Sequence, residues 1–328
     1  MTLDGGGYEA GGVAPAAANG EPRTGAATDR ALERIARDDP RYPGSLGVVE
    51  QPPAVLYARG DTGLLARRMV AIVGSRHPSA YGIRVAYEAA QAAARAGLVV
   101  VSGMARGLDS RAHRGALDAG GPTIAVLASG ADVPYPAGNR ELYLDIVARG
   151  LVVSEAEPGA WPFKGSFPWR NRIIAGLGEC LLVVEGSLTS GTMITAGWAA
   201  KLGKQVFAVP GRIDEEMAQG PNHLIVTGAT PYQGPGDVLE RFGIKWEGVL
   251  AEERRQVTAQ LDLMAAESGE LLKAEARVFD VLGAAALHVD AIGARTALEA
   301  GTLLAALSSL ELKGLAVQLP GKYFALAS

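Results

Sequence analysis

The chain has 328 residues, 48% hydrophobic and 20% charged, with a formal net charge of −4 and one cysteine, a composition that predicts a cytoplasmic globular protein of one large or two smaller domains. With one cysteine there is no intrachain disulfide, and Cys180 opens the apolar run CLLVV as a packed small hydrophobe. No apolar run approaches the ~20 residues of a membrane span, and the N-terminus lacks the basic and apolar regions of a signal peptide.

Residues 1–28 are Gly, Ala, Pro and Thr with almost no large apolar side chains, so they are expected to be a disordered leader. Residues 29–63, with the amphipathic LERIARDDPRYPGSL and the proline-rich QPPAVLYARG, read as a short lead-in or a truncated helical subdomain. Six apolar runs follow, MVAIVG, LVVVSG, TIAVLASG, LVVSE, CLLVVEG and QVFAVPG, separated by amphipathic stretches such as YGIRVAYEAAQAAARAG. Continuous apolar runs alternating with helices predict a doubly wound, mostly parallel α/β sheet of Rossmann type over residues 64–243. Residues 244–268 are polar with weak periodicity and read as a linker. Residues 269–328 read as three helices and a hairpin turning at Pro320-Gly321, the order of a winged helix. Its third helix, TLLAALSSLELKG, carries one lysine, which favours contact with protein, or a vestigial role, over a grip on duplex DNA.

Ligands of such sheets sit beyond the carboxyl ends of the strands, where Gly74-Ser75-Arg76, Ser102-Gly103, Ser129-Gly130, Ser154-Glu155, Gly186-Ser187 and Pro210-Gly211 fall. The turn after the first run lacks G-x-G-x-x-G spacing, and no acid ends the second run, which disfavours NAD or FAD. Arg76 there reads as a phosphate or base clamp, or else as a brace paired to a carboxylate. In SGMARGLDSRAHRGAL, Arg106 joins the second turn and Asp109 reads as a helix N-cap with His113 one turn on, a structural pair more simply than a catalytic one. Four histidines without metal-ligand spacing, and no paired cysteines, argue against a metal.

Charge is unevenly spread. Between Leu64 and Gly115 eight arginines face only Glu88 and Asp109, a local footprint for phosphates or a set of solvated helix faces. WPFKGSFPWRNRIIAG interleaves Trp161, Phe163, Phe167 and Trp169 with Lys164, Arg170 and Arg172, without an acid from Ala160 to Leu177. Bases stack on such rings while cations neutralise the backbone, as single-stranded nucleic acid requires; packing of some of the rings in a core is the plainer reading. LTSGTMITAGWAAKLG places Ser190, Gly191 and Thr192 at a helix start, where free N–H groups and the helix dipole can hold a phosphate.

Taken in order, VGSR, VSGMARGLDSRAH, TIAVLASG with the Tyr135-Pro136 and Asn139 that follow it, SEAEPG, FPWRNRIIAGL, VVEGSLTSGTMITA, VFAVPG and GPNHLIVTGA resemble the DNA-processing protein A family, also called Smf, and LELKG and PGKY resemble its tail domain. The resemblance implies a protein that binds and protects single-stranded DNA and loads the RecA recombinase onto it, in natural transformation or recombinational repair, with no catalysis and no cofactor. It further implies a homodimer through the Rossmann domain, with single-strand-binding protein as a further partner. It places Arg76, Lys164 and Phe167 as DNA contacts. The expected DNA-binding set is completed by Gly74, Ser75, Ser102, Gly103, Arg106, Arg140, Arg170, Asn171, Arg172, Ser190, Gly191 and Thr192.

The alternative is a nucleotide phosphoribohydrolase of the lysine-decarboxylase-like fold. Those proteins carry G-G-x-G-T-x-x-E, and Thr195 stands here where the glutamate would be. Glu155 and Glu185, at strand ends, are the acids left to substitute for it.

Overall fold

The computed structural model describes residues 30–252, 254–255, 269–283 and 285–327. The leader expected over residues 1–28 lies outside these, as does the last part of the expected linker, residues 256–268.

All six apolar runs are strands: β3 (Met69–Val73), β4 (Val99–Ser102), β5 (Thr123–Leu127), β6 (Leu151–Ser154), β7 (Cys180–Val183) and β8 (Gln205–Ala208). Strands β3 to β7 are buried at every position, which is why they read as unbroken apolar runs rather than alternating ones. They pair in parallel in the order β6-β5-β4-β3-β7-β8, with the two-residue β9 (Thr230–Pro231) beyond β8. The chain runs outward from β3 to β6, then returns to place β7 on the other side of β3. The switch point of this doubly wound sheet therefore lies between β3 and β7.

Alternate residues of each strand feed opposite cores. Ala71, Val73, Val101, Val126 and Leu181 pack under α5 (Ser166–Leu177) and α6 (Gly191–Lys201). Val70, Ile72, Val100 and Leu182 pack under α2 (Ala80–Arg95) and α3 (Leu108–Asp118). Helix α4 (Arg140–Arg149) covers the β5–β6 side through Leu142, Tyr143, Ile146 and Val147.

Two expectations are corrected. The lead-in is not a helical subdomain: β1 (Leu32–Ala36) and β2 (Val55–Gly60) form a hairpin that extends the sheet, with β2 antiparallel to β6. Edge strands with one wetted face carry mixed polar and apolar residues, so LERIA looks amphipathic without being helical. The segment after Gly243 is not all linker either. Residues 246–252 are helical, and Ile244, Trp246 and Val249 pack against the core beneath α2.

The C-terminal unit is a winged helix with its own core. Helices over Gly269–Val281, Val289–Thr296 and Ala300–Leu312 enclose Val278, Phe279, Ile292, Leu303, Leu307 and Leu310, closed by Phe324. The hairpin β11 (Ala316–Leu319)–β12 (Tyr323–Leu326) turns at Pro320-Gly321 as expected. A short strand, β10 (Leu287–His288), pairs with β12. Lys313, just beyond the third of these helices, is bonded to the buried carboxylate of Glu275, so this cation serves the core of the unit.

Helix α3 is tied to the sheet by a buried polar chain. The Thr123 hydroxyl donates to Val100 O (2.7 Å), so its oxygen accepts from His113 Nδ1–H (2.7 Å), and Nε2 is left as a buried acceptor without a partner. Burial, aided by the nearby Arg170 cation, pulls the His113 pKa down to about 3. The ring is neutral in the fold but takes a proton in the unfolded chain below about pH 6.5. The unfolded state thus binds more protons in this window, and stability falls as pH drops from about 6.5 toward 3. His113→Gln is expected to flatten the pH dependence of unfolding free energy between about pH 6.5 and 4.5 by up to about 1.4 kcal/mol per pH unit. Urea titrations at stepped pH measure this, and an unchanged slope excludes His113 as the source.

Candidate nucleic-acid interface

At the switch point the turns after β3 and β7 diverge and leave a cleft of about 590 Å³. Gly74, Ser75, Arg76 and His77 form one wall; Ser187, Ser190, Gly191 and Thr192 form the other, and Lys164, Phe167, Arg170 and Asn171 close it from α5 and the loop before it. A second cleft of about 290 Å³ lies on the far side of Arg76 and Phe167, lined also by Gly103, Arg106, Tyr135 and Pro136. The ridge between the two is a stack: the Arg76 guanidinium lies 5.3 Å from the Phe167 ring centroid, and Tyr135 packs on the same ring at 5.7 Å.

Backbone geometry sets this arrangement. Gly107 adopts φ 86° and packs so closely on the β3 turn that a Cβ there would come within 2.3 Å of Ser75 O. The close approach lets Leu108 N–H donate to Ser75 O (3.1 Å) and fixes the Ser75-Arg76 turn. The Ser75 hydroxyl accepts from His77 N–H (3.0 Å). Across the cleft, Ser190 is the N-cap of α6 but makes no capping bond, and its buried Oγ has no hydrogen-bond partner. An unused buried hydroxyl beside the first N–H groups of an eleven-residue helix presents a set of donors whose chemistry suits an anion. Asn171 holds the two sides in register: its Nδ2 donates to Gly191 O (3.1 Å) and its Oδ1 accepts from Arg170 Nε (3.2 Å).

The arginines divide by burial. Arg76 and Arg106 are exposed at the clefts. Arg170 is buried and donates through Nη1 to Gly103 O (2.7 Å) and to Val126 O, bridging the ends of β4 and β5. Burial lowers its pKa to about 10, against the pull of Asp109, so it remains a cation at neutral pH. Asp109 in turn is raised by burial, an effect opposed by Arg170, the Ala105 and Gly74 N–H groups and Arg76. It is not the expected N-cap: Gly107 precedes the helix, and Asp109, in the first turn, accepts from Ala105 N–H (3.4 Å).

Arg172, expected as a DNA contact, is 0% exposed. It makes a two-pronged pair with Glu155 (2.7 and 2.8 Å), donates to Gln51 O and Trp169 O, and stacks 4.0 Å from the Trp169 centroid. No donor of it is turned to the cleft, so this expectation is corrected: the side chain points across α5 to the lead-in. Ser102 is also fully buried and donates to Ile72 O (2.7 Å), a strand-to-strand tie. Arg140, exposed at the start of α4, stands outside the lining of both clefts.

The eight-arginine segment is likewise not one patch. Arg68 pairs with Glu179 (2.7 Å), Arg114 with Asp145 (2.8 Å), and Arg67 donates to Gly97 O (2.8 Å). Sequence reasoning missed Tyr135 and His77 as lining residues. Tyr135 sits between two prolines beyond the end of β5, an aromatic in a stiff loop on the ligand side of the sheet, which was the available signal. Both strand-end acids are committed to the fold. Glu155 holds Arg172, while Glu185 accepts from the Ser79 N–H (3.0 Å) and hydroxyl at the start of α2.

A doubly wound sheet with a donor-lined cleft at its switch point, followed by a winged helix, defines a two-module protein built on a Rossmann-type domain. The chain belongs to the DNA recombination-mediator protein A family, whose model matches residues 33–243, and residues 264–322 match the DprA winged helix domain. It is 38% identical over 274 residues to the putative DNA processing protein DprA of Mycobacterium tuberculosis, covering 83% of this chain and 68% of that one. Identity to DprA of Bacillus subtilis is 40% over 215 residues, or 65% of this chain and 72% of the relative. Among solved structures, DprA of Streptococcus pneumoniae superposes with TM-score 0.62 at 41% identity, over 64% of this chain and 74% of that one. DNA processing protein A of Helicobacter pylori, described for its single-stranded DNA binding mode, superposes with TM-score 0.60 at 31% identity, over 66% and 97%.

The buried and exposed arginines contribute very unequally to stability. Arg172→Ala is expected to cost about 2–4 kcal/mol, because it breaks a largely buried pair and strands the carbonyls it serves. Arg76→Ala should stay within about 0.5 kcal/mol of the parent. Equilibrium urea unfolding of the two variants tests this, and similar losses in both would refute the division.

Proposed function

We propose that the chain binds a single strand of DNA in the cleft between β3 and β7, protects it, and loads the RecA recombinase onto it. The observation that carries this reading is the combination of three donors of different kind around one cleft. The α6 N-terminus with the unpartnered Ser190 hydroxyl offers neutral donors to a phosphate, Arg76 and Lys164 offer exposed cations, and Phe167 offers a ring to a base. A duplex would not expose its bases to that ring.

The family and the single-stranded DNA binding of the Helicobacter pylori relative support the same assignment. RecA loading, a role in transformation or in repair, an additional contact with single-strand-binding protein and a homodimer through the Rossmann domain belong to this proposal, as does a cytoplasmic location. A second copy would present a second cleft to the same strand, and the effective concentration would raise affinity without any new contact. Among the described residues, no helix is long and apolar enough to cross a membrane. For the winged helix we propose contact with protein rather than duplex DNA, since Lys313 beside its third helix is held by Glu275.

Binding without hydrolysis is the preferred reading because the acids that could act are engaged. Glu155 and Glu185 hold structural partners, and Thr195, in the place of the hydrolase glutamate, donates to Gly191 O (3.3 Å). No release of ribose 5-phosphate from nucleoside monophosphates is therefore expected, and its release would favour the hydrolase.

Fluorescence anisotropy with labelled oligo-dT at several salt concentrations tests the proposal. Arg76→Ala and Lys164→Ala should each weaken binding and reduce the salt slope by about 1, because each removes one phosphate contact. Phe167→Ala should weaken binding by about 1–3 kcal/mol at unchanged slope, since stacking releases no counterions. Equal affinity for duplex, or slopes indifferent to both cations, would defeat the assignment. A strand-exchange assay with RecA on oligo-dT coated by single-strand-binding protein tests the loading step.

A further inference from the structure

Beside the cleft, two aromatic rings stand almost free of the fold. Trp161 is 75% exposed and Phe163 71% exposed, in a stretch that has no acidic residue from Ala160 to Leu177 and carries Lys164 immediately after Phe163. Large rings at such exposure need an account, because adjacent exposed apolar groups mark contact surfaces.

The main chain that carries the rings is anchored on both sides. The segment before Trp161 is anchored by Gly130 N–H donating to Ala160 O (2.9 Å) and by Gly159 N–H donating to both oxygens of Asp132 (2.9 and 3.0 Å). After Phe163 a tight turn closes, with Ser166 N–H and Oγ–H both donating to Phe163 O (3.0 and 2.8 Å). The Phe163 ring lies so close over Gly165 that a Cβ there would come within 2.9 Å of its Cε2. One edge of the ring is therefore backed by main chain and the rest is open. Lys164, inside this turn, lines the cleft, so along the chain the two rings directly precede the wall that Lys164 and Phe167 form.

We propose that Trp161 and Phe163 form a base-stacking platform outside the cleft, which takes the nucleotides of a single strand as it leaves past Lys164. Three features select unpaired nucleic acid over a protein as the occupant: open rings on an anchored turn, an adjacent cation with no acid across the whole stretch, and continuity with a phosphate-receptive cleft. The rings would add affinity that is insensitive to base identity, because every base has a π-face. This inference rests on reading the cleft as a single-strand site.

The test compares the wild-type chain with Trp161→Ala, Phe163→Ala, the double variant and the conservative Trp161→Phe. Each is titrated with labelled oligo-dT of about 5 and about 20 nucleotides, lengths that bracket one site and an extended one. The expected result is a loss of roughly tenfold in affinity for the long oligonucleotide in the double variant, with an unchanged salt slope. Binding of the short one should be little altered, and Trp161→Phe should retain most of the long-oligonucleotide affinity. Equal affinity of wild type and double variant for the long oligonucleotide overturns the inference, as does an equal loss at both lengths, which would report damage to the cleft. An intact DNA titration combined with lost RecA loading would overturn it in favour of a protein partner. If wild type binds neither oligonucleotide, the reading of the cleft fails as well; if Arg76→Ala weakens binding and the ring variants do not, only the platform fails.

Discussion

The guanidinium of Arg170, inserted at the carboxyl edge of the sheet, is the contact on which the site depends. Strand ends in a parallel sheet leave carbonyls that no neighbour satisfies, and here a buried cation reaches Gly103 O and Val126 O from α5. That one side chain fixes the height of α5 over β4 and β5. It thereby fixes where Phe167 and Lys164 stand relative to the β3 turn, and through Asn171 it sets the distance to the first turn of α6. The cost of burying the charge is offset by the carbonyls, by Asp109 nearby and by the hydrogen bond to Asn171.

A cluster of charge that is contiguous in the sequence separates in space into two functions. Arg170 and Arg172 are two residues apart on one helix, so they leave it in different directions. One braces the strand ends and the other clamps Glu155 and the Gln51 carbonyl of the lead-in. Arg76, on a turn, has no such carboxylate partner among the described residues and stacks instead on Phe167. The arginines available to a ligand are therefore those on turns, where the backbone leads away from the sheet, and those within α5 are consumed by the fold.

This explains what the sequence could reveal. Strands β3 to β7 were legible because burial on both faces leaves almost only apolar residues, and β8 because its Phe207 and Ala208 are buried; the turns at their carboxyl ends pointed to the edge of the sheet where the cleft lies. The β1–β2 hairpin was not legible, since a strand of pattern LERIA with only Ile35 fully buried has the look of a surface helix. At the site, Phe167, Lys164 and the α6 start are where the motifs placed them, but residue type alone does not distinguish Arg76 from Arg172. That distinction depends on Glu155 and Gln51, which lie 17 and 121 residues away in sequence from Arg172. Asp109 shows the same limit on a smaller scale, its role set by a glycine two residues earlier with positive φ.

Helix α5 is held at its other end too. Lys204 Nζ donates to the carbonyls of Ala175, Gly176 and Gly178 at 2.6–2.8 Å, the last acceptors of the helix. With a cation at each end and Arg172 fixed between, the helix that presents the site has few alternative positions to lose. Ordering entropy, which commonly opposes the capture of a flexible polymer, has for the protein side already been spent at folding. The freedom that remains to be given up when a strand is seated there belongs to the strand.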